Sequence, residues 1–171
     1  MDVESLVEET VRVAGRELRL LKPPSAEELI DEDAFSRDEF LPYWAELWPT
    51  AVALAEAVAA RGVRGLRVVE LGCGLAVPSL AAARNGLRVD ARVVSWADPP
   101  DLGAFDLVLA SDVLYEARNA EQLLALLPRL APEVLLADPD RPYAAGFLER
   151  AAAGWVVEAL PDRVFRLVRR A

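Results

Sequence analysis

A glycine-rich turn follows a short run of strand-forming residues near the middle of the chain. The run from Leu66 to Leu71 (LRVVEL) ends at Gly72, and Gly74 comes two residues later. In a strand–turn–helix unit, Gly72 permits the sharp turn and Gly74 lets a ligand approach the main chain. Val77 stands at the third glycine position of the dinucleotide fingerprint, which disfavours a nucleotide-binding oxidoreductase.

The residue types present exclude several kinds of catalysis. The 171 residues include no histidine and a single cysteine, Cys73, which excludes Ser-His-Asp triads, Cys-His pairs and nearly all catalytic zinc sites. We therefore expect no metal site. Asp112 follows a second strand-like run, where a carboxylate is costly unless it is solvated or paired. Any chemistry must use carboxylates, hydroxyls, backbone amides or a borrowed cofactor.

The charge is unevenly distributed along the chain. The net charge is -9, and residues 1–50 hold thirteen acidic and five basic residues, so the other 121 residues carry only -1. This composition predicts that no nucleic acid is bound, because phosphates require a basic surface. An acidic lobe that includes Asp31, Glu32 and Asp33 favours a cationic partner, such as a basic peptide. The alternative is that these acids are simply solvated helix faces.

No segment has the character of a membrane span or a targeting sequence. The apolar runs are interrupted before the roughly 18 residues that a membrane helix needs. Met1 is followed by Asp2, Glu4, Glu8 and Glu9, whereas a signal peptide begins with basic residues. We predict a soluble cytoplasmic protein without a membrane partner.

The periodicity predicts one α/β domain over residues 1–171. Residues 9–21 alternate around Ala14-Gly15 as a hairpin, and Ser25 with Glu28 forms a capping box for an acidic helix from Ala26 to about Ala34. These belong to an N-terminal segment, 1–48, ahead of a core at 49–171. The predicted core strands are 66–71, 87–95, 105–110, 133–137, 154–159 and 163–168, and the helices are 50–60, 78–84, 119–130 (N-cap Asn119) and 143–153.

Alternating strands and helices are typical of a doubly wound, mostly parallel sheet. The last two strands are separated by only Leu160-Pro161-Asp162. A parallel crossover needs a dozen or more residues. We therefore predict that the last strand is antiparallel.

Four motifs in a fixed order resemble a known family. The stretch Val69-Glu70-Leu71-Gly72-Cys73-Gly74 is similar to the first motif of class I methyltransferases that use S-adenosylmethionine. The full order resembles the seven-strand protein-lysine methyltransferases that act on chaperones and electron-transfer flavoprotein, whose bacterial relatives are often labelled nicotinamide N-methylases. The resemblance runs from about residue 9 to the C-terminus. The motifs are 43–49 (YWAELWP), 70–80 (ELGCGLAVPSL), Trp96 and 111–116 (SDVLYE).

This resemblance implies a Rossmann-like fold, S-adenosylmethionine as cofactor and roles for nine residues. It also implies an N-methyltransferase whose acceptor is most simply a lysine of a basic protein. The alternatives are a small amine of nicotinamide type, or a non-catalytic binding module. The implied cofactor contacts are Trp48, Glu70, Gly72, Cys73, Gly74, Trp96 and Ser111, and the implied catalytic pair is Asp112 and Tyr115.

Compared with that family, one strand–helix unit is missing after the first core helix. The helix-forming residues up to Arg84 are followed at once by Asn85-Gly86 and by the strand-like 87–95. Either residues are missing from the sequence between Arg84 and Asn85, which we favour because the flanks match the family, or the chain is truly shortened. A shortened chain would pair 87–95 beside the first core strand, with Asp98 near the cofactor ribose.

Overall fold

The computed structural model describes residues 6–26, 29 and 42–171. The predicted acidic helix, its capping box and its cluster of acids lie almost entirely outside these residues. They therefore stay predictions.

Two antiparallel strands form the predicted N-terminal hairpin, β1 (Val7–Val13) and β2 (Arg16–Lys22). Ala14 and Gly15 form the turn with φ of 51° and 73°, the left-handed conformation that matches a two-residue turn to the twist of its strands. Alternate residues face the core and are buried there. The buried hairpin side chains are Val11, Val13, Leu18 and Leu20.

Within the described residues, the core consists of helices and strands in the chain order α1 (Pro49–Arg61), β3 (Val68–Leu71), α2 (Val77–Arg84), β4 (Leu107–Ser111), α3 (Ala117–Leu130), β5 (Glu133–Ala137), α4 (Ala144–Ala151), β6 (Trp155–Ala159) and β7 (Val164–Arg169). Its five strands form one sheet in the order β3-β4-β5-β7-β6. The strands β3, β4 and β5 are parallel, and β7 runs antiparallel to both β5 and β6. The mostly parallel sheet with an antiparallel last strand is therefore confirmed.

Helices cover both faces of the sheet, so β4 and β5 are buried on both sides. This burial explains why the two strands are almost entirely apolar. On one face α3 and α4 pack through Leu123, Leu126 and Phe147, and on the other α1 packs through Leu54 and Val58. Among the described helices, none is both long and apolar enough to cross a bilayer.

The largest difference from the predicted elements lies between α2 and β4. Residues 87–95 form no strand, and no main-chain hydrogen bond in the described structure joins them to β3. Val89 is half exposed and Val93 fully exposed. An alternating pattern produces a strand only where a neighbouring edge pairs with it and one face is covered. Among the described residues, one edge of β3 therefore has no strand partner.

The expected gap between Arg84 and Asn85 is absent, because the two residues are direct neighbours in the sequence. Asn85 caps α2, its N–H donates to the carbonyl of Ala82 at 2.9 Å, and its Nδ2 donates to the carbonyl of Ala81 at 3.0 Å. These bonds span the peptide between Arg84 and Asn85, and all 171 residues belong to one continuous sequence. A gap at this junction is not supported, so the short sheet is a property of the chain.

The start of α3 also differs from the prediction. Glu116, not Asn119, occupies the N-cap position. Asn119 is buried in the first turn, where its Nδ2 donates to the carbonyl of Val113 at 3.0 Å. Asn119 thus ties the loop that follows β4 to α3.

Candidate functional site

A cavity of about 970 Å³ opens at the carboxyl ends of β3 and β4 and continues along the unpaired edge of β3. In parallel α/β sheets this is the end at which ligands bind. The sheet topology brings together residues that are far apart in sequence. All nine predicted site residues line the cavity: Trp48, Glu70, Gly72, Cys73, Gly74, Trp96, Ser111, Asp112 and Tyr115.

The glycine turn after β3 is closely packed. Gly72 has φ +67°, and a Cβ added there would lie 3.0 Å from Val113 Cγ1 and 3.3 Å from the Trp96 ring. A Cβ on Gly74, with φ +50°, would lie 3.4 Å from the carbonyl oxygen of Trp44. Glycine is thus needed at position 72 both for its backbone conformation and for lack of space.

Gly72→Ala is expected to destabilise the protein by about 1–3 kcal/mol more than Gly15→Ala, because it adds overpacking to the same backbone strain. Gly15 is a matched control, since its φ is +73° and no atom lies within 4 Å of its added Cβ. Urea denaturation of the two variants measures the difference. Equal losses of stability would contradict the close packing of Gly72 against Trp96.

Glu70 is held by the first turn of α2. Its Oε2 accepts hydrogen bonds from the main-chain N–H of Ser79, at 2.9 Å, and from the Ser79 hydroxyl. Its Oε1 is buried without a partner in the described structure. Burial raises the pKa of Glu70 to about 7, although both hydrogen bonds from Ser79 act to lower it. Near neutral pH Glu70 therefore exists in both protonation states.

Cys73 and Tyr115 both keep their protons at neutral pH. Partial burial raises the pKa of the Cys73 thiol, and the charge of Glu70 raises it further. Burial also raises the pKa of Tyr115. The thiol is therefore no activated nucleophile, and the Tyr115 hydroxyl is available as a hydrogen-bond donor rather than as a base.

Asp112 is buried and already neutralised by a partner. Its Oδ1 accepts a hydrogen bond from Arg141 Nε at 2.5 Å, and its Oδ2 accepts a weaker one from Thr50 Oγ1 at 3.4 Å. Its φ is +56°, a left-handed conformation that aspartate and asparagine tolerate better than most residues. The predicted catalytic carboxylate thus lines the cavity as one half of an ion pair.

Aromatic side chains line the cavity together with Asp112. Tyr43 contacts Trp48 and Tyr115 edge to face, with ring centroids 6.3 and 5.6 Å away. The guanidinium of Arg141 lies 5.2 Å from the Trp48 ring centroid. Trp48 Nε1 donates to the carbonyl of Tyr43 at 2.8 Å. The result is a wall of planar rings in which Trp48 is held by Tyr43 and Arg141.

Sequence reasoning missed three polar residues that support the site. Arg141 and Thr50 hold Asp112, and Asp138 accepts the main-chain N–H of Arg141 at 2.7 Å. Asp138 is buried, and burial together with the charge of Asp112 raises its pKa. A usable signal existed for Asp138, because it follows β5 just as Asp112 follows β4. No local pattern pointed to Arg141 or Thr50.

The expected position of Asp98 near the ribose is wrong in this structure. Asp98 is exposed and does not line the cavity. The carboxylate of that segment that does line it is Asp90, whose Oδ2 lies 2.8 Å from Arg92 Nη2. The reason is that 87–95 stays away from β3 instead of pairing with it.

Comparison with solved structures identifies the fold. No family model and no curated protein matches the chain. The T. thermophilus 16S rRNA N2-guanosine methyltransferase RsmC, solved with AdoMet and guanosine, superposes with a TM-score of 0.59 and 17% identity over 96% of this chain and 51% of its own. A Pyrococcus horikoshii protein provisionally assigned as an RNA methyltransferase superposes with a TM-score of 0.57 and 16% identity. This superposition covers 75% of this chain and 89% of that protein. The chain thus spans about half the length of RsmC.

These neighbours correct the predicted partners, a basic protein or small amine with no nucleic acid, because one is an rRNA methyltransferase and the other is provisionally assigned as an RNA methyltransferase. The net charge is a poor argument against nucleic acid, because it is a sum over the whole chain. A ligand contacts only the wall of the cavity, which here includes Arg67, Arg88 and Arg92. The lysine and nicotinamide subfamilies are likewise not supported. The predicted enzyme class agrees with both neighbours and the predicted cofactor with RsmC, and the chain has the Rossmann-like fold of class I methyltransferases.

Proposed function

We propose that this chain is an S-adenosylmethionine-dependent methyltransferase that methylates a nitrogen of an RNA base. The observation that carries the proposal is the ion pair between the buried Asp112 and the partly exposed Arg141, with Nε and Oδ1 2.5 Å apart. It stands beside a wall of aromatic rings in the cavity. The rRNA substrate of RsmC and the provisional assignment of the P. horikoshii protein support the same acceptor class.

The ion pair bears on the charge of the acceptor. A lysine ammonium entering a buried site needs an unpaired carboxylate to offset its desolvation. Asp112 has no such charge to offer, because Arg141 already neutralises it. A base amino group is neutral and planar, and it needs only one acceptor for its N–H. Oδ2 of Asp112, which holds only the 3.4 Å bond from Thr50, has the capacity to accept it.

The residues around the glycine turn fit the cofactor. Gly72 and Gly74 leave the main chain open to a ligand, and the buried Oε1 of Glu70 lacks a hydrogen-bond donor. Cys73 and Trp96 line the same part of the cavity. When bound, S-adenosylmethionine supplies a methyl group on a sulfonium. The chain then has to align the acceptor nitrogen with that methyl, and such positioning accounts for several kcal/mol of a barrier.

Trp44→Ala is expected to weaken RNA binding about 10-fold, within the roughly 1–3 kcal/mol that stacking contributes for each base. The Trp44 side chain lies at the mouth of the cavity and is 49% exposed. Tyr143→Ala is the matched control, because Tyr143 is 41% exposed and does not line the cavity. Fluorescence anisotropy with labelled RNA measures both. Equal effects of the two substitutions would contradict a stacking role for Trp44.

The proposal is tested with radiolabelled cofactor. The purified chain is incubated with S-[methyl-³H]adenosylmethionine and either total RNA or a protein extract, and the RNA is digested to nucleosides for mass spectrometry. We expect nuclease-sensitive label on a base nitrogen. Label found only in protein would contradict the RNA acceptor, and no heat of cofactor binding in calorimetry would contradict the enzyme class.

A further inference from the structure

The cavity extends beyond the residues that hold the cofactor and the acceptor. Its volume of about 970 Å³ is at the upper end of the range of about 300–1,000 Å³ for small-molecule sites. The added length runs from Gly72 back along β3 to Arg67, a distance of about 17 Å at strand spacing. One wall is the unpaired edge of β3, and the other is residues 87–94. We call this part of the cavity the edge groove.

The edge groove is basic although the chain is acidic. Its exposed charged side chains are Arg67, Arg88 and Arg92 against Asp90, and Arg92 pairs with Asp90. Arg67 and Arg88 have no carboxylate within ion-pair distance in the described part of the chain. The other carboxyl group along this part of β3 is Glu70, which is largely buried and accepts hydrogen bonds from Ser79, so the two arginines are the unpaired charges that face the groove. The Asp106 carboxylate accepts the main-chain N–H of Arg67 at 2.8 Å but forms no ion pair with its guanidinium.

Planar and apolar groups lie between these charges. The guanidinium of Arg67 lies 5.3 Å from the ring centroid of Phe105, a distance that permits cation–π attraction and fixes the arginine. Phe105, Leu102 and Trp96 line the groove and are only partly buried. The edge of β3 adds main-chain N–H and C=O groups without strand partners. Arginines alternating with aromatic surfaces in a groove are what binds single-stranded nucleic acid.

We propose that the edge groove binds the sugar-phosphate backbone of a single-stranded RNA segment next to the methylated base, with Arg67 and Arg88 contacting phosphates. This inference rests on the proposed function, because the groove is continuous with the site that it assigns to the acceptor. It identifies the substrate as an extended, unpaired strand rather than a free nucleoside. The groove exists because 87–95 does not pair with β3.

The test measures RNA binding as a function of salt. A fluorescein-labelled single-stranded RNA of about 12 nucleotides, within the range of known single-strand sites, is titrated with the full chain at several salt concentrations. We compare wild type with Arg88→Gln, Arg67→Gln and the double variant. Arg170→Gln is the control, because Arg170 follows β7 and donates to the carbonyl of Ala152, beside the opposite edge of the sheet.

Each groove substitution is expected to raise Kd several-fold at low salt and to reduce the slope of log K against log salt by about 0.7. Arg170→Gln is expected to change neither. Unchanged slopes for Arg88→Gln, or an equal change for Arg170→Gln, would overturn the groove assignment. So would binding of a polyglutamate peptide in place of RNA. Arg88 is exposed, so its variant remains informative even if loss of the Arg67–Phe105 contact impairs folding.

The outcomes for the groove and for the proposed function are separable. If the wild-type chain methylates RNA but the arginine variants bind RNA with unchanged salt dependence, only the groove assignment fails. If the wild-type chain transfers no methyl group to RNA, the proposed function fails whatever the binding slopes are.

Discussion

Asp112→Asn is expected to lower kcat for methyl transfer at least about 100-fold while cofactor affinity changes little. Asparagine keeps the volume and tolerates the φ of +56°, so the loop after β4 keeps its course. The substitution replaces one carboxylate oxygen by an NH₂ group, which repels the N–H of an incoming base amino group. A misplacement of about 1 Å at the acceptor is enough for a 100-fold loss.

The same substitution has a separate effect on stability. It leaves the partly exposed guanidinium of Arg141 without the carboxylate it contacts at 2.5 Å, a loss of about 1–3 kcal/mol. Adding Arg141→Gln to Asp112→Asn is expected to recover part of that stability and none of the activity. Both partners of the pair are then neutral, which is less costly than removing only one.

Single-turnover kinetics and urea denaturation measure the two effects independently. Glu121→Gln is the control, because Glu121 pairs with Arg150 on the exposed surface of α3 and α4, where solvent screens an ion pair and it adds little to stability. We expect wild-type turnover for this control. If Asp112→Asn turned over within about 3-fold of wild type, Asp112 would not contact the acceptor.

Two of the strands that the sequence predicted correctly, β4 and β5, are buried on both faces. They are runs of apolar residues that helices cover on both sides, with a polar residue only at one end, Ser111 in β4 and Glu133 in β5. A continuous apolar run identifies such a strand because both of its faces lie in the core. Their predicted and observed bounds differ by at most two residues.

Residues 87–95 were wrongly predicted to form a strand from their alternating pattern of apolar and polar residues. Their alternating pattern is as good as that of β1, but β1 has β2 as a partner and 87–95 has none. Pairing depends on which edge is available in three dimensions, and this information is not present in a nine-residue window. The groove that results is therefore visible only in the structure.

The candidate site likewise combines residues that the sequence predicted with a contact that it did not. Its nine predicted residues were found from the order of motifs along the chain, and the strand ends bring them to one cavity. The contact between Asp112 and Arg141 joins residues 29 apart, from two different loops. No spacing rule relates these positions, because the contact arises only when β4 and β5 lie side by side. This ion pair is the observation on which the proposed acceptor rests.

Glu70→Gln is expected to stabilise the protein against unfolding, by an amount that grows with pH. The pKa of Glu70 is about 7 in the folded protein against 4.5 for the unfolded chain. Between these values the folded state binds more protons than the unfolded state, so the contribution of Glu70 to stability falls as pH rises. The total loss above pH 7 is roughly 3 kcal/mol. Glutamine avoids it because it carries no charge.

Glutamine also matches the hydrogen bonds around Glu70. Its carbonyl can accept from both donors of Ser79, and its NH₂ group would occupy the position of the unpartnered Oε1. Urea denaturation at pH 5 and pH 8 gives the stability difference between variant and wild type, which we expect to be about 2–3 kcal/mol larger at pH 8. Ser79→Ala is the companion variant. It removes a hydrogen bond that lowers the pKa of Glu70, so the pH window should move upward. A stability difference that is equal at both pH values would mean that Glu70 ionises normally in the folded protein.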